Sequence, residues 1–120
     1  MTRFNFLRIL VMTALIVAAI QVPTFAAMKN YTVVNQTGRT IDAIFAVASD
    51  KDKPYEISLL KAPLENGKSV AAEYNADFRK YDLTVIFEDG EVAFWDEVDH
   101  KDTTRLTIYK DGTGYNVDTD

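Results

Sequence analysis

The chain has 120 residues, enough for one domain, with 18 acidic residues, 13 basic residues, one histidine and no cysteine. Without cysteine there can be no disulfide, no cysteine-linked lipid anchor, and no zinc site of Cys and His ligands within one chain. The acidic balance argues against nucleic acid and anionic membrane as partners.

Residues 1–26 have the layout of a secretory signal peptide. Arg3 and Arg8 sit in an acid-free start, residues 9–20 are apolar but for Thr13, and Gln21, Pro23 and the small-residue site Thr24-Phe25-Ala26 follow. A spanning helix needs about 20 apolar residues, and the run between Arg8 and Gln21 is far shorter. The expectation is cleavage after Ala26, a secreted or periplasmic location, and one domain over residues 27–120. Those 94 residues carry 11 basic and 18 acidic groups, a formal charge of −7. They must hold together by their core alone, which a chain of roughly this length can do with modest stability.

In chain order, Tyr31-Thr32-Val33-Val34 is a β-rich run, ended by the turn residues Asn35-Gln36-Thr37-Gly38. Asn35-Gln36-Thr37 also has the form of an N-glycosylation acceptor in a eukaryotic secreted protein. Residues 40–48, TIDAIFAVA, form the next strand. Ile41, Ala43, Phe45 and Val47 alternate, but Ile44, Ala46 and Ala48 are apolar too, so the strand is either buried on both faces or bulged. Residues 49–54 form a polar loop, and YEISLLK at 55–61 fits one helical turn or a short strand equally. After the turn region 62–67, residues 68–74 place Val70, Ala72 and Tyr74 on one face. Leu106 and Ile108 do the same within 103–109, and Tyr115 and Val117 suggest a last edge strand or a fraying tail.

The strongest local signal is YDLTVIFEDGEVAFWDEV at residues 81–98, two apolar runs around Glu88-Asp89-Gly90. A two-residue turn at Asp89-Gly90 would oppose Leu83 to Asp96 and Glu88 to Glu91. A three-residue loop with Gly90 at positive φ instead pairs Phe87 with Glu91, Val85 with Ala93 and Leu83 with Trp95. The second register is preferred, because a one-residue slip turns every side chain over and only this slip opposes Leu83 to an apolar partner. Leu83, Val85, Phe87, Ala93 and Trp95 then face the core. Ile86, Val92 and Phe94 share the outer face, a candidate interaction surface that should be covered by the 109–117 tail, a second copy or another protein. Six strands and a seventh at short spacing, with no amphipathic helix after the signal, predict a small antiparallel β-sandwich.

Several of these stretches together resemble a family of small exported bacterial β-sandwich proteins of uncharacterised function. The resemblance is carried by Asn35-Gln36-Thr37-Gly38-Arg39-Thr40-Ile41, by Leu59-Leu60 before Leu64 and Gly67, and by Tyr81-Asp82-Leu83 through Phe87-Glu88-Asp89-Gly90 to Trp95 and Val98-Asp99. Some members bear the name argininosuccinate lyase, a large helical enzyme whose site nothing in this chain could build. The chain departs from the family at Tyr55, where a Trp is usual, and near Arg79 and Lys101, where cysteines are common. The resemblance implies polar residues at the positions of Val92 and Phe94, with Ala93 and Trp95 inward.

The candidates for chemistry each face a plainer reading. His100, flanked by Asp99 and Asp102, has no nucleophile signature near it and is expected to be a solvated surface residue. Asp96, Glu97, Asp99 and Asp102 belong to an acidic stretch whose oxygens suit Ca²⁺. The competing reading is a solvated rim that guards strand edges. Asp50 and Asp52 do not continue into an EF-hand, because Pro54 and Tyr55 break the pattern. Asp82 should cap a neighbouring loop by accepting backbone N–H groups. Trp95 is read as core rather than as an outward sugar-stacking platform. The sequence therefore predicts an exported, non-enzymatic module without a cofactor that binds or assembles through a sheet face, with calcium or carbohydrate binding by the acidic loops as the alternative.

Overall fold

The computed structural model describes residues 28–50, 52 and 54–120. The expected signal peptide lies outside the described residues. Among them are eight strands and no helix: β1 (Met28–Gln36), β2 (Ile41–Ala48), β3 (Glu56–Ser58), β4 (Ser69–Asn75), β5 (Lys80–Phe87), β6 (Val92–Asp99), β7 (Arg105–Asp111) and β8 (Gly114–Thr119). They form two four-stranded sheets, β4-β1-β7-β8 and β3-β2-β5-β6. One core, including Val33, Tyr74, Leu106 and Ile108 from the first sheet and Ile44, Leu83, Val85 and Phe87 from the second, joins them.

Two expectations are corrected. The count is eight strands rather than six or seven; the addition is β3, whose three residues are too few for alternation to declare. The sheets are also not wholly antiparallel, because β1 and β7 pair in parallel from Thr32↔Arg105 to Gln36↔Tyr109. The whole second sheet separates these strands in sequence, so no hairpin turn dictates their relative direction. The C-terminal segment is ordered as β8, paired with β7 from Asp111↔Gly114 to Leu106↔Thr119.

The hairpin adopts the three-residue register. Leu83 opposes Trp95, Val85 opposes Ala93 and Ile86 opposes Val92. The Phe87 N–H donates to Glu91 O at 2.9 Å, and Gly90 carries φ of 90°. Leu83, Val85 and Phe87 are fully buried, while Ala93 and Trp95 pack half-buried against the same core. Arg39 holds the turn from outside, ion-pairing with Asp89 and Glu91. It also donates to the Tyr115 hydroxyl at 3.2 Å and lies 4.4 Å over the Phe87 ring.

A bulge decides which side of β2 is core. The pairing with β5 shifts between Ile41 and Ala43, so Asp42 is the extra residue. Ile41 is buried before the bulge and Ile44, Ala46 and Ala48 after it, which sends Ala43, Phe45 and Val47 outward. Of the two sequence readings, the bulge is the one adopted. A second bulge sits where Asp82 faces Asp96 and Glu97. Glu97 has φ of 51°, an unfavourable conformation for a residue with a Cβ. Asp82 holds it there by accepting the Glu97 N–H at 2.9 Å and the Ser49 hydroxyl at 2.7 Å. That is the capping role expected of Asp82, applied to a strand rather than a loop.

Candidate functional site

The outer face of the second sheet is apolar across three strands. Strand pairing aligns Phe45, Thr84 and Phe94 in one row, and Ala43, Ile86 and Val92 in the next. Two interstrand spacings put the Phe45 and Phe94 backbones about 10 Å apart. Val92 and Phe94 are 55% and 57% exposed, and Phe45, Val47 and Ile86 are half-buried. The three residues singled out from the sequence thus share a face, and Phe45 and Val47 enlarge it. Those two were missed because alternation alone left β2 without a declared outer side; the signal was the double-apolar pattern itself, read as a bulge.

The tail does not cover this face. β8 lies in the other sheet, and its Tyr115 ring packs inward on Phe87 with centroids 4.8 Å apart. The outer face of the first sheet is more mixed: strand alternation places Val34, Ala71 and Tyr109 there among Thr32, Ser69, Glu73, Arg105 and Thr107. The most exposed large apolar side chains among the described residues, Val92 and Phe94, both lie on the outer face of the second sheet.

The acidic candidates are spread out. Among the described residues, no group of three His, Asp or Glu side chains could hold a metal ion. Asp99 is engaged by Arg79 at 2.9 Å and accepts the Lys101 N–H at 2.9 Å. The Arg79 hydrogen bonds, and then the Lys101 N–H, hold its carboxyl down at about 2. Glu97 lies 3.6 Å from Lys80 across the bulge. Asp96 is exposed on β6, and Asp102 is exposed in the turn after it with φ of 55°.

His100 corrects the surface expectation, for it is fully buried. Its backbone N–H donates to Arg79 O at 2.7 Å, which folds the loop back and drives the ring inward. The ring meets Tyr31, Tyr74 and Tyr81 at centroid distances of 5.5, 5.3 and 4.9 Å, mostly edge to face. Nδ1 lies 3.1 Å from Val98 O. A carbonyl only accepts, so Nδ1 carries the proton and Nε2 accepts from the Tyr31 hydroxyl at 3.3 Å. Both ring nitrogens are therefore used inside the fold. Burial lowers the His100 pKa below its ordinary value and raises those of the Tyr31 and Tyr81 hydroxyls. The Asn35 side chain is buried as well. It donates to Arg39 O and Leu64 O at 2.7 and 2.8 Å and accepts the Thr37 hydroxyl at 2.7 Å. It is a structural knot and is closed to glycosylation.

A concavity of about 690 Å³ runs between the outermost strands β3 and β4, with Ile57, Leu59, Leu64 and Val70 among its lining. No family model and no curated protein matches the chain. Two solved structures are similar in shape. The first is described as the NMR structure of a protein from Eubacterium rectale: TM-score 0.52, 21% identity, covering 78% of this chain and 88% of that one. The second, described as a trapped toxin, has a TM-score of 0.45 and 8% identity, covering 78% of this chain and 23% of that one. The likeness to the Eubacterium rectale protein is one of fold.

Proposed function

We propose that this is an exported, non-catalytic β-sandwich module that binds or assembles through the outer face of the β3-β2-β5-β6 sheet. The observation that carries the reading is the contiguity of Phe45, Ile86, Val92 and Phe94 on a face that the described residues leave open. Soluble monomers seldom expose a large contiguous apolar patch. Covering half-exposed Phe94 and Val92 would contribute roughly 1–2 kcal/mol each. The non-catalytic part rests on His100, the single histidine, being enclosed with both ring nitrogens bonded. The export part rests on the Arg-bearing start, the short apolar run and the Thr24-Phe25-Ala26 site. Membership of the exported family it resembles is part of the same proposal.

Phe94→Glu is the test, read by sedimentation velocity and by cross-linking in the exporting cell. An intact melt with loss of assembly supports the reading. An unchanged melt with unchanged assembly means that the face is idle. Intact-mass measurement of the exported protein tests the rest: a start at or near Ala27 is expected, and a retained Met1 or Arg3 would overturn export with cleavage.

A further inference from the structure

The apolar centre of the second sheet is bordered by carboxylates. Glu56 stands beside Val47 on β3, and Asp82 stands beside it on β5. Asp96 follows Phe94 along β6 by the two-residue period of a strand, and Asp42 is exposed at the bulge next to Ala43. Among the described residues of these four strands Lys80 is the one cation, and it lies 3.6 Å from Glu97. Arg39, at the hairpin end, is taken up by Asp89 and Glu91. Along these strands the face therefore presents an apolar centre with carboxylates in excess of cations.

Building on the binding role proposed above, we propose that this face receives a cationic amphipathic segment of another protein, apolar side chains on the Phe45–Phe94 rows and lysines or arginines against Glu56, Asp82, Asp96 and Asp42. Charge complementarity selects this occupant. A second copy would bring the same carboxylates face to face, at a formal charge of −7 for each chain beginning at residue 27. An anionic lipid surface is disfavoured for the same reason. Rim charges of this kind steer encounter and reject wrong partners, while the buried aromatic and aliphatic contacts supply most of the affinity.

The experiment uses the purified protein and fluorescein-labelled short peptides in which leucine alternates with lysine, leucine with glutamate, or serine with lysine, followed by anisotropy at low and high salt. The leucine–lysine peptide should bind, and the other two should not. Phe94→Ser should abolish binding. The E56Q/D96N double variant should weaken it roughly three- to tenfold and flatten its salt dependence. Glu56, Phe94 and Asp96 are exposed, so these variants should keep the parent melt, which is measured alongside. Equal binding of the leucine–glutamate peptide, lost in Phe94→Ser, would overturn the cationic partner while leaving the face as a binding surface. A concentration-dependent dimer that Phe94→Ser dissolves would make the occupant a second copy and overturn the inference in the same way. Binding that survives Phe94→Ser, or no binding by any peptide, would overturn the inference, the former together with the role of the face.

Discussion

Replacing His100 with alanine should be among the most damaging changes in the domain. The imidazole is fully buried and packed between three tyrosine rings, so its removal opens a cavity at a cost of about 2 kcal/mol. The Tyr31 hydroxyl then loses its acceptor inside the core, which adds about 1–2 kcal/mol. The total, about 3–4 kcal/mol, equals or exceeds the loss of about 3 kcal/mol expected for Leu83→Ala or Phe87→Ala, whose side chains are also fully buried. For a chain of this size that corresponds to a Tm lower by roughly 12–30 °C. His100→Phe, which fills the volume but cannot bond to Tyr31 or Val98, should lose about 1–2 kcal/mol. Lys101→Ala, one position along and exposed, should stay within about 0.5 kcal/mol. Urea melts decide it, read as a shift of midpoint at constant slope. A His100→Ala melt that overlays the parent while Leu83→Ala shifts would refute the argument, and would put the ring back on a solvated loop.

Stability should fall with acid through the same residue. Burial lowers the His100 pKa in the fold, whereas the unfolded chain takes up this proton near 6.5. Below that pH the unfolded state binds more protons, so the His100 contribution is complete above about pH 6.5 and is lost as pH falls towards the lower folded value. Melts at about pH 7.5 and about pH 5.5 should therefore differ more for the parent than for His100→Phe, and an equal loss in both would exclude His100 as the source. Arg39→Lys should lower the urea midpoint, because an ammonium cannot fork between Asp89, Glu91 and the Tyr115 hydroxyl while covering the Phe87 ring. An unchanged midpoint would mean that the turn holds itself.

The hairpin was readable because its information is local. Gly90 permits the positive φ, and the period of two then assigns Leu83, Val85 and Phe87 to one side and Ile86, Val92 and Phe94 to the other. Ala72 and Tyr74 on β4, and Leu106 and Ile108 on β7, declared their inward face in the same way, whereas Val70, which the same alternation grouped with them, is 37% exposed at the start of its edge strand. Phe45 did not. Its outward direction depends on the extra residue Asp42, and seven of the nine residues at 40–48 are apolar, so neither phase of β2 stands out.

His100 shows the other limit. Between Asp99 and Asp102 in an acidic stretch it reads as solvated, and local composition cannot reveal that Tyr31, Tyr74 and Tyr81, from three strands in two sheets, close around it. The parallel β1–β7 ladder, the seating of β8 in the first sheet and the consequent exposure of Phe94 are of the same kind. By itself the sequence determined the all-β class, the hairpin register and most inward residues of the alternating strands, because backbone pleat and turn stereochemistry act between residues a few positions apart. Which polar groups end up buried and which apolar face is left open was decided only by tertiary structure, since burial is set by neighbours that the chain brings together from far along its length.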